Sequence, residues 1–169
     1  MIRTATAADA SGISRLLTQL GYPGTEGFLG HNLERMLSDP REILLVWADS
    51  GGIPGAPTQQ GVIPDTPPNG DTPGAPSTGD TITGFLSMEI SIYPSLSGPV
   101  AAIKAFAVDE NARSSGIGAK LEAEATKRAR EKGSDRIIVH CAERRKRAHE
   151  FYFRQGYHED PKYLIKSLL

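Results

Sequence analysis

The chain has 169 residues, 38% of them hydrophobic, with nineteen Lys/Arg against twenty Asp/Glu and a formal net charge of −1. That length fits one domain with a real hydrophobic core, so residues 1–169 are expected to form a single domain. Cys141 is the only cysteine, which excludes an intrachain disulfide and fits a reducing compartment. The N-terminus has no apolar leader core, and no run approaches the roughly eighteen apolar residues of a membrane span. A soluble cytoplasmic protein with no membrane partner is therefore expected.

In chain order, residues 1–5 read as a short first strand. Thr6-Ala-Ala-Asp9 resembles a capping box with Asp in place of Glu. Ile13, Leu16, Leu17 and Leu20 then follow at i, i+3, i+4 and i+7, one face of a helix. Residues 21–24, Gly-Tyr-Pro-Gly, end it. A second helix is predicted over 25–38, with Leu29, Leu33, Met36 and Leu37 inward, followed by an apolar strand over 43–48.

Residues 50–81 differ in kind. They hold seven of the twelve prolines and seven of the eighteen glycines, with no aromatic residue and no Lys or Arg. Such a segment buries too little apolar surface to offset its ordering entropy, so it reads as a flexible insertion between neighbouring strands.

Strands are predicted over 82–92 and 101–108, then a helix over 116–132 with Ile117, Leu121 and Ala125 on one stripe and Gly133 as its stop. Ile137-Ile138-Val139 marks a buried-type strand over 136–142. A helix over 143–155 stops at Gly156, and a last strand covers 163–168. The order is β-α-α-β-β-β-α-β-α-β, an α/β (α+β) domain with a mixed sheet.

Arg113-Ser114-Ser115-Gly116-Ile117-Gly118 joins the strand over 101–108 to the next helix. A helix N-terminus has N–H groups without intrahelical partners, and its dipole favours an anion. Glycines at 116 and 118 remove Cβ atoms that would hold a phosphate off the backbone, and Arg113 adds a permanent cation. A dinucleotide fingerprint needs its glycines directly after the strand and a third three residues on, where this chain has Leu121. A P-loop needs Gly-Lys-Ser/Thr, whereas Gly118 precedes Ala119 and Lys120.

Charge is distributed unevenly about this turn. Residues 1–112 carry five basic and twelve acidic side chains, while residues 113–169 carry fourteen and eight. The basic part suits a polyanionic small ligand. No stripe of interleaved aromatics supports a nucleic-acid partner. Ion pairs on a solvated helix face, such as Glu124 with Arg128, explain part of the charge.

Three features stand in order: Ala105-Phe106-Ala107-Val108, the Arg113-x-x-Gly116-x-Gly118 turn, and Ala148-His149-Glu150-Phe151-Tyr152-Phe153-Arg154-Gln155-Gly156-Tyr157. Together they resemble the GCN5-related N-acetyltransferase (GNAT) family. The resemblance implies a mixed, splayed sheet flanked by helices, with an acyl-CoA cleft between strands 4 and 5. It implies acetyl-CoA as co-substrate, no metal, and direct acetyl transfer to a primary amine of a small molecule or protein. A homodimer is among the expected states.

Carried onto this chain, the backbone of Phe106, Ala107 and Val108 would pair with the pantetheine arm. The Val108 N–H would donate to the thioester carbonyl. Arg113, Ser114, Ser115, Gly116, Ile117, Gly118 and Ala119 would hold the pyrophosphate. Tyr152 would be the general acid that protonates the leaving thiolate, since a tyrosine of ordinary pKa is protonated at neutral pH. Arg145 stands where the family often has Asn and could reach a phosphate. The cluster Arg144 to Arg147 is either a partner for the 3′-phosphate or a solvated helix start. Glu89 and His140 are both open as the general base. His140 reads equally as a satisfied core residue, His149 either lines the cofactor groove or sits on the helix surface, and Phe151 reads as core.

In the family the acceptor site is built from early helices and strand loops, here residues 21–28 and 93–97. Tyr22, Phe28 and Tyr93 would form an apolar wall there, or pack within the loops. A non-catalytic acyl-CoA-binding or regulatory domain on the same fold is the alternative. An unrelated nucleotide-binding module ranks below it.

Overall fold

The computed structural model describes residues 1–50 and 80–160. Most of the predicted insertion and the predicted strand over 163–168 lie outside the described residues. The chain divides into a large compact unit, Met1–Ile138, and a smaller one that begins at Val139.

In the large unit the elements are β1 (Ile2–Thr4), α1 (Ala10–Leu20), α2 (Leu29–Leu37), β2 (Glu42–Ser50), β3 (Asp80–Ser91), β4 (Val100–Val108), α3 (Ile117–Glu131) and β5 (Arg136–Val139), whose last residue begins the small unit. The small unit contains α4 (Lys146–Arg154). The strands form one sheet in the order β1-β2-β3-β4-β5. The pairings β1/β2, β2/β3 and β3/β4 are antiparallel, and the five-stranded sheet is mixed, so β5 runs parallel to β4.

Period-two alternation divides the strand residues between two cores. On one face Leu44, Val46 and Ala48 of β2 join Ile82, Phe85 and Ala107 against Ile13, Leu16 and Leu17 of α1 and Leu29 and Leu33 of α2. The intervening strand residues, such as Ile43, Leu45, Leu86 and Met88, are buried too. Helix α3 packs on that second side through Ile117 and Leu121, approaching Gly84 closely. A Cβ on Gly84 would lie 2.7 Å from Leu121 and 2.9 Å from Ile117. Gly84 is the Cα partner of Val108, so the glycine lets the start of α3 settle under the end of β4.

Several boundaries differ from the sequence expectation. Residues 25–27 form a separate 3₁₀ turn before α2, and Leu37 is 36% exposed instead of inward. At 100° per residue Leu37 lies about 40° beyond Leu33, at the outer edge of the stripe formed by Leu29, Leu33 and Met36. β3 ends at Ser91, which pairs with Val100, leaving Ile92 exposed beyond the ladder. Asp80 and Thr81, assigned by sequence to the insertion, belong to β3. β5 is shorter than predicted, and its Ile137, Ile138 and Val139 are half-buried instead of buried. It is the last strand in the order, so only one of its edges has a described neighbour. α4 begins at Lys146 instead of 143, because the Arg145 N–H closes a turn onto Ala142 O at 2.9 Å.

The predicted start of the first helix is present in part. The Asp9 carboxylate accepts from the Thr6 N–H at 2.7 Å and from the Thr6 hydroxyl at 3.0 Å. It also receives both Arg3 Nη atoms at 2.8 Å. These bonds tie β1 to the 3₁₀ turn Ala7–Asp9 that leads into α1.

Candidate active site

The end of β4 carries two features that favour a ligand. The first is the direction of its backbone. The Asp109 N–H donates to Thr83 O at 2.8 Å, across to β3. Antiparallel bonding alternates along a strand, so the Val108 N–H points to the opposite edge of β4. The Asp135 N–H bonds to Pro99 O at 3.2 Å, which sets the start of β5 beside the start of β4. β5 has four residues and β4 has nine, so the last residues of β4 run on past β5.

The second feature is the turn that follows. Asp109 caps a 3₁₀ turn, Glu110–Ala112, by accepting from the Asn111 N–H at 2.9 Å. Arg113 is extended, whereas Ser114 and Gly116 are both left-handed, with φ of 69° and 83°. Left-handed residues spaced this closely turn successive N–H groups towards one side, an anion-binding concavity. The Ser115 hydroxyl donates to Ala112 O at 2.5 Å, which braces the turn. Nothing lies within 4 Å of a Cβ built on Gly116. The position is open space at the N-terminus of a fifteen-residue helix with no acidic residue in its first turn. Arg113, Ser114, Ser115 and Gly116 are exposed, and Ile117 is buried as the helix anchor. These residues fit a pyrophosphate: exposed N–H groups, a helix N-terminus and a neighbouring cation.

The two proposed bases differ in surroundings. Pairing Ser87 with Ala105 and Met88 with Ile103 leaves Lys104 as an extra residue in β4, a bulge. From it the Lys104 ammonium reaches Glu42 Oε1 at 2.5 Å and Glu89 Oε2 at 2.7 Å. The hydrogen bond from Lys104 is the main cause that holds the Glu89 carboxyl below its ordinary range. Glu89 is thus charged but weakly basic, whereas base catalysis works best with a pKa near the operating pH. His140 lies just past the end of β5 and is exposed.

In the small unit, Tyr152 is fixed by the way α4 ends. The Gly156 N–H bonds to Phe153 O at 3.0 Å and the Tyr157 N–H to Tyr152 O at 3.1 Å. This is a Schellman cap, in which the residue after the glycine packs back on the helix. The Tyr157 ring meets Tyr152 edge-on at 5.2 Å, and Phe151 meets it at 5.3 Å. Tyr152 is buried, while Phe151, read as core, is only half-buried. Arg145 is the half-buried residue before α4, among exposed Arg144, Lys146 and Arg147. His149 Nε2 is 3.1 Å from Ala142 O, a bond that bridges the turn. Burial raises the Cys141 thiol pKa, which lowers its reactivity as a nucleophile.

Sequence reasoning did not single out Lys104, Asp109, Arg15 or Gln19. Arg15 and Gln19 lie one turn apart on the polar side of α1, the only local signal they give. Their link to Asp109, about ninety positions away, is a property of the fold. Tyr22, Phe28 and Tyr93, proposed as an acceptor wall or as packed loop residues, are all exposed. Among the described residues, no helix is long and apolar enough to cross a membrane, and no group of three His, Cys, Asp or Glu could hold a metal ion.

Comparison with known proteins bears on the whole arrangement. The chain is similar in fold to a putative acetyltransferase from Agrobacterium tumefaciens str. C58, at 16% identity over 99% of each chain with a TM-score of 0.73. A transcriptional regulator from Bacillus halodurans C-125 aligns at 19% identity over 99% of each chain, TM-score 0.73. Glucosamine-6-phosphate N-acetyltransferase from Arabidopsis thaliana aligns at 18% identity over 99% of this chain and 97% of its own, TM-score 0.71. No curated protein matches the chain in sequence. The sequence model described as the acetyltransferase (GNAT) family matches residues 63–157, which take in β3, β4, the Arg113 turn, α3 and α4. With that match over more than half its length, and with the family's fold, this chain belongs to the GNAT acetyltransferase family.

Proposed function

We propose that the protein is an acetyl-CoA-dependent N-acetyltransferase that moves an acetyl group directly to a primary amine. The observation that carries this reading is the pair of left-handed residues, Ser114 and Gly116, opening α3 beside empty space and directly downstream of Val108. Acetyl-CoA supplies the activated thioester, whose C–S bond breaks as the amine nitrogen bonds to the acetyl carbon. The Ser114–Gly118 N–H groups neutralise the pyrophosphate. The Val108 N–H, directed away from β3, donates to the carbonyl oxygen as negative charge develops there. Tyr152 donates its hydroxyl proton to the departing sulfur, and the proton shed by the acetylated nitrogen passes through solvent to restore the phenol. The attacking amine must be neutral, and Glu89 is a poor acceptor of its proton while Lys104 is paired with it.

The acceptor is a small-molecule or protein amine in the cytoplasm. The test is calorimetric titration with acetyl-CoA, followed by release of free CoA thiol with a broad panel of amines. Saturable binding with amine-dependent thiol release supports the transferase. Binding without transfer to any amine would instead support a non-catalytic acyl-CoA-binding domain. Absence of binding would overturn both.

A further inference from the structure

Helix α1 is bonded to the exit of β4, and nothing in the reaction as described uses that link. The Arg15 guanidinium donates through Nη1 to Asp109 Oδ2 and through Nη2 to Ile82 O at 2.7 Å. One turn later, Gln19 Nε2 approaches the same carboxylate at 3.4 Å, while Gln19 Oε1 accepts from the Glu110 N–H at 3.1 Å. Asp109, only 5% exposed, gathers these bonds. Its Oδ1 accepts from the Asn111 N–H at 2.9 Å, its carbonyl accepts from the Ala112 N–H at 2.9 Å, and its own N–H goes to Thr83. Ala112 in turn accepts from Ser115. A continuous set of hydrogen bonds therefore runs from α1 through Asp109 to the turn that opens α3.

We infer that Arg15 and Gln19 are positioning residues for the donor site, setting the spacing between the Val108 N–H and the Ser114–Gly118 N–H groups. The inference rests on the acetyl-CoA reading of that turn. The physical argument concerns a short segment. Residues 109–112 contain one 3₁₀ turn and little buried apolar surface, since Asn111 and Glu110 are exposed and Ala112 is half-buried. Hydrophobic packing cannot hold such a segment in one conformation. Charge-assisted bonds to a buried carboxylate can, because leaving that carboxylate unpaired is costly. Arg15 suits the task, since one planar guanidinium serves Asp109 and the β3 carbonyl Ile82 O at once. A lysine reaches one acceptor as a point charge and gives up the other.

The experiment measures acetyl-CoA affinity by calorimetry at a temperature well below unfolding, with amide hydrogen exchange of residues 110–118 and thermal midpoints alongside. The variants are Arg15→Lys and Gln19→Leu. Arg3→Met is the control, because it breaks a comparable ion pair with Asp9 at the other end of the α1 entry. Arg15→Lys and Gln19→Leu are expected to weaken acetyl-CoA binding about tenfold, the weight of one lost charge-assisted bond. Exchange of residues 110–118 should rise in both, and Arg3→Met should lower the midpoint with affinity intact. Should Arg15→Lys not fold, Gln19→Leu alone decides. Unchanged affinity in the folded variants, or an equal loss in Arg3→Met, would overturn the positioning role. Failure of the unsubstituted protein to bind acetyl-CoA would instead overturn the functional reading on which it rests.

Discussion

Lys104 lies 2.7 Å from Glu89 and 2.5 Å from Glu42, a cation between two carboxylates on one face of the sheet. Glu42 and Glu89 are Cα partners across β2 and β3, and Lys104 is the extra residue of the β4 bulge, two positions on from Ala102, the partner of Glu89. Glu42 is the more enclosed partner, its side chain 8% exposed and its second oxygen buried without a hydrogen bond. Lys104→Met should therefore destabilise the fold by about 1–2 kcal/mol, less than for a fully buried pair because the lysine head is partly solvated. Urea denaturation of the variant at pH 7 checks this. The double variant Lys104→Met/Glu42→Gln should recover part of the loss, because it removes the uncompensated buried charge.

The same pair bears on base catalysis. Glu89→Gln should reduce kcat by less than about fivefold, since a carboxylate held low by Lys104 is a weak proton acceptor. A loss of a hundredfold or more, with the loss of an ionisation from the pH–rate profile, would make Glu89 the base after all.

Tyr152→Phe should lower kcat by about a hundredfold or more while leaving acetyl-CoA affinity within about twofold, because the hydroxyl acts on the leaving sulfur and not on binding. Tyr157→Ala should produce a smaller loss through the same group. It removes the ring that meets Tyr152 at 5.2 Å without touching the hydroxyl. Steady-state kinetics with both substrates varied separate the two effects.

Gly116→Val tests the cradle. At φ 83° a β-branched residue is strained by about 1–2 kcal/mol, and its side chain enters the open space beside the turn. The variant should fold with a lowered midpoint and show no acetyl-CoA binding by calorimetry. Normal binding would mean that the turn does not hold the cofactor's pyrophosphate.

Acid should weaken the protein through two named carboxyls. Burial alone would raise the pKa of Asp9 and Asp109, yet hydrogen bonds from Arg3 and Thr6 to the first, and from Arg15 and Asn111 to the second, outweigh it. Both sit below the ordinary carboxylate range when folded. The stability they contribute is fully present above the unfolded value of about 3.9, and it is lost as pH falls through the folded values. Thermal midpoints from pH 7 down to 2 should fall steeply below about pH 4. Asp9→Asn should lower the midpoint at pH 7 and flatten that decline.

The sequence alone determined the elements whose causes are local. The 3.6-residue stripe of α1 and the run of β2 were legible because each pattern spans several turns or pleats. The Gly156-Tyr157 stop was legible because a helix terminus declares itself by residue type. The Arg113–Gly118 turn was legible for the same reason, and with the Tyr152 segment it pointed to the family that the comparison then established. Local reading failed where a partner strand decides the outcome. Ile92 continues the alternation of β3, but the ladder ends with the Ser91–Val100 pair, so the side chain stays in water. Only the tertiary structure decided the surroundings of the charged groups. Glu89 is an ordinary glutamate in sequence and an ion-paired one in the fold, because the neighbouring strand β4 brings Lys104 against it. Arg15 and Asp109 are separated by ninety-four positions. No propensity or spacing encodes their bond, since electrostatic and hydrogen-bonding contacts depend on distance in space, which folding alone sets.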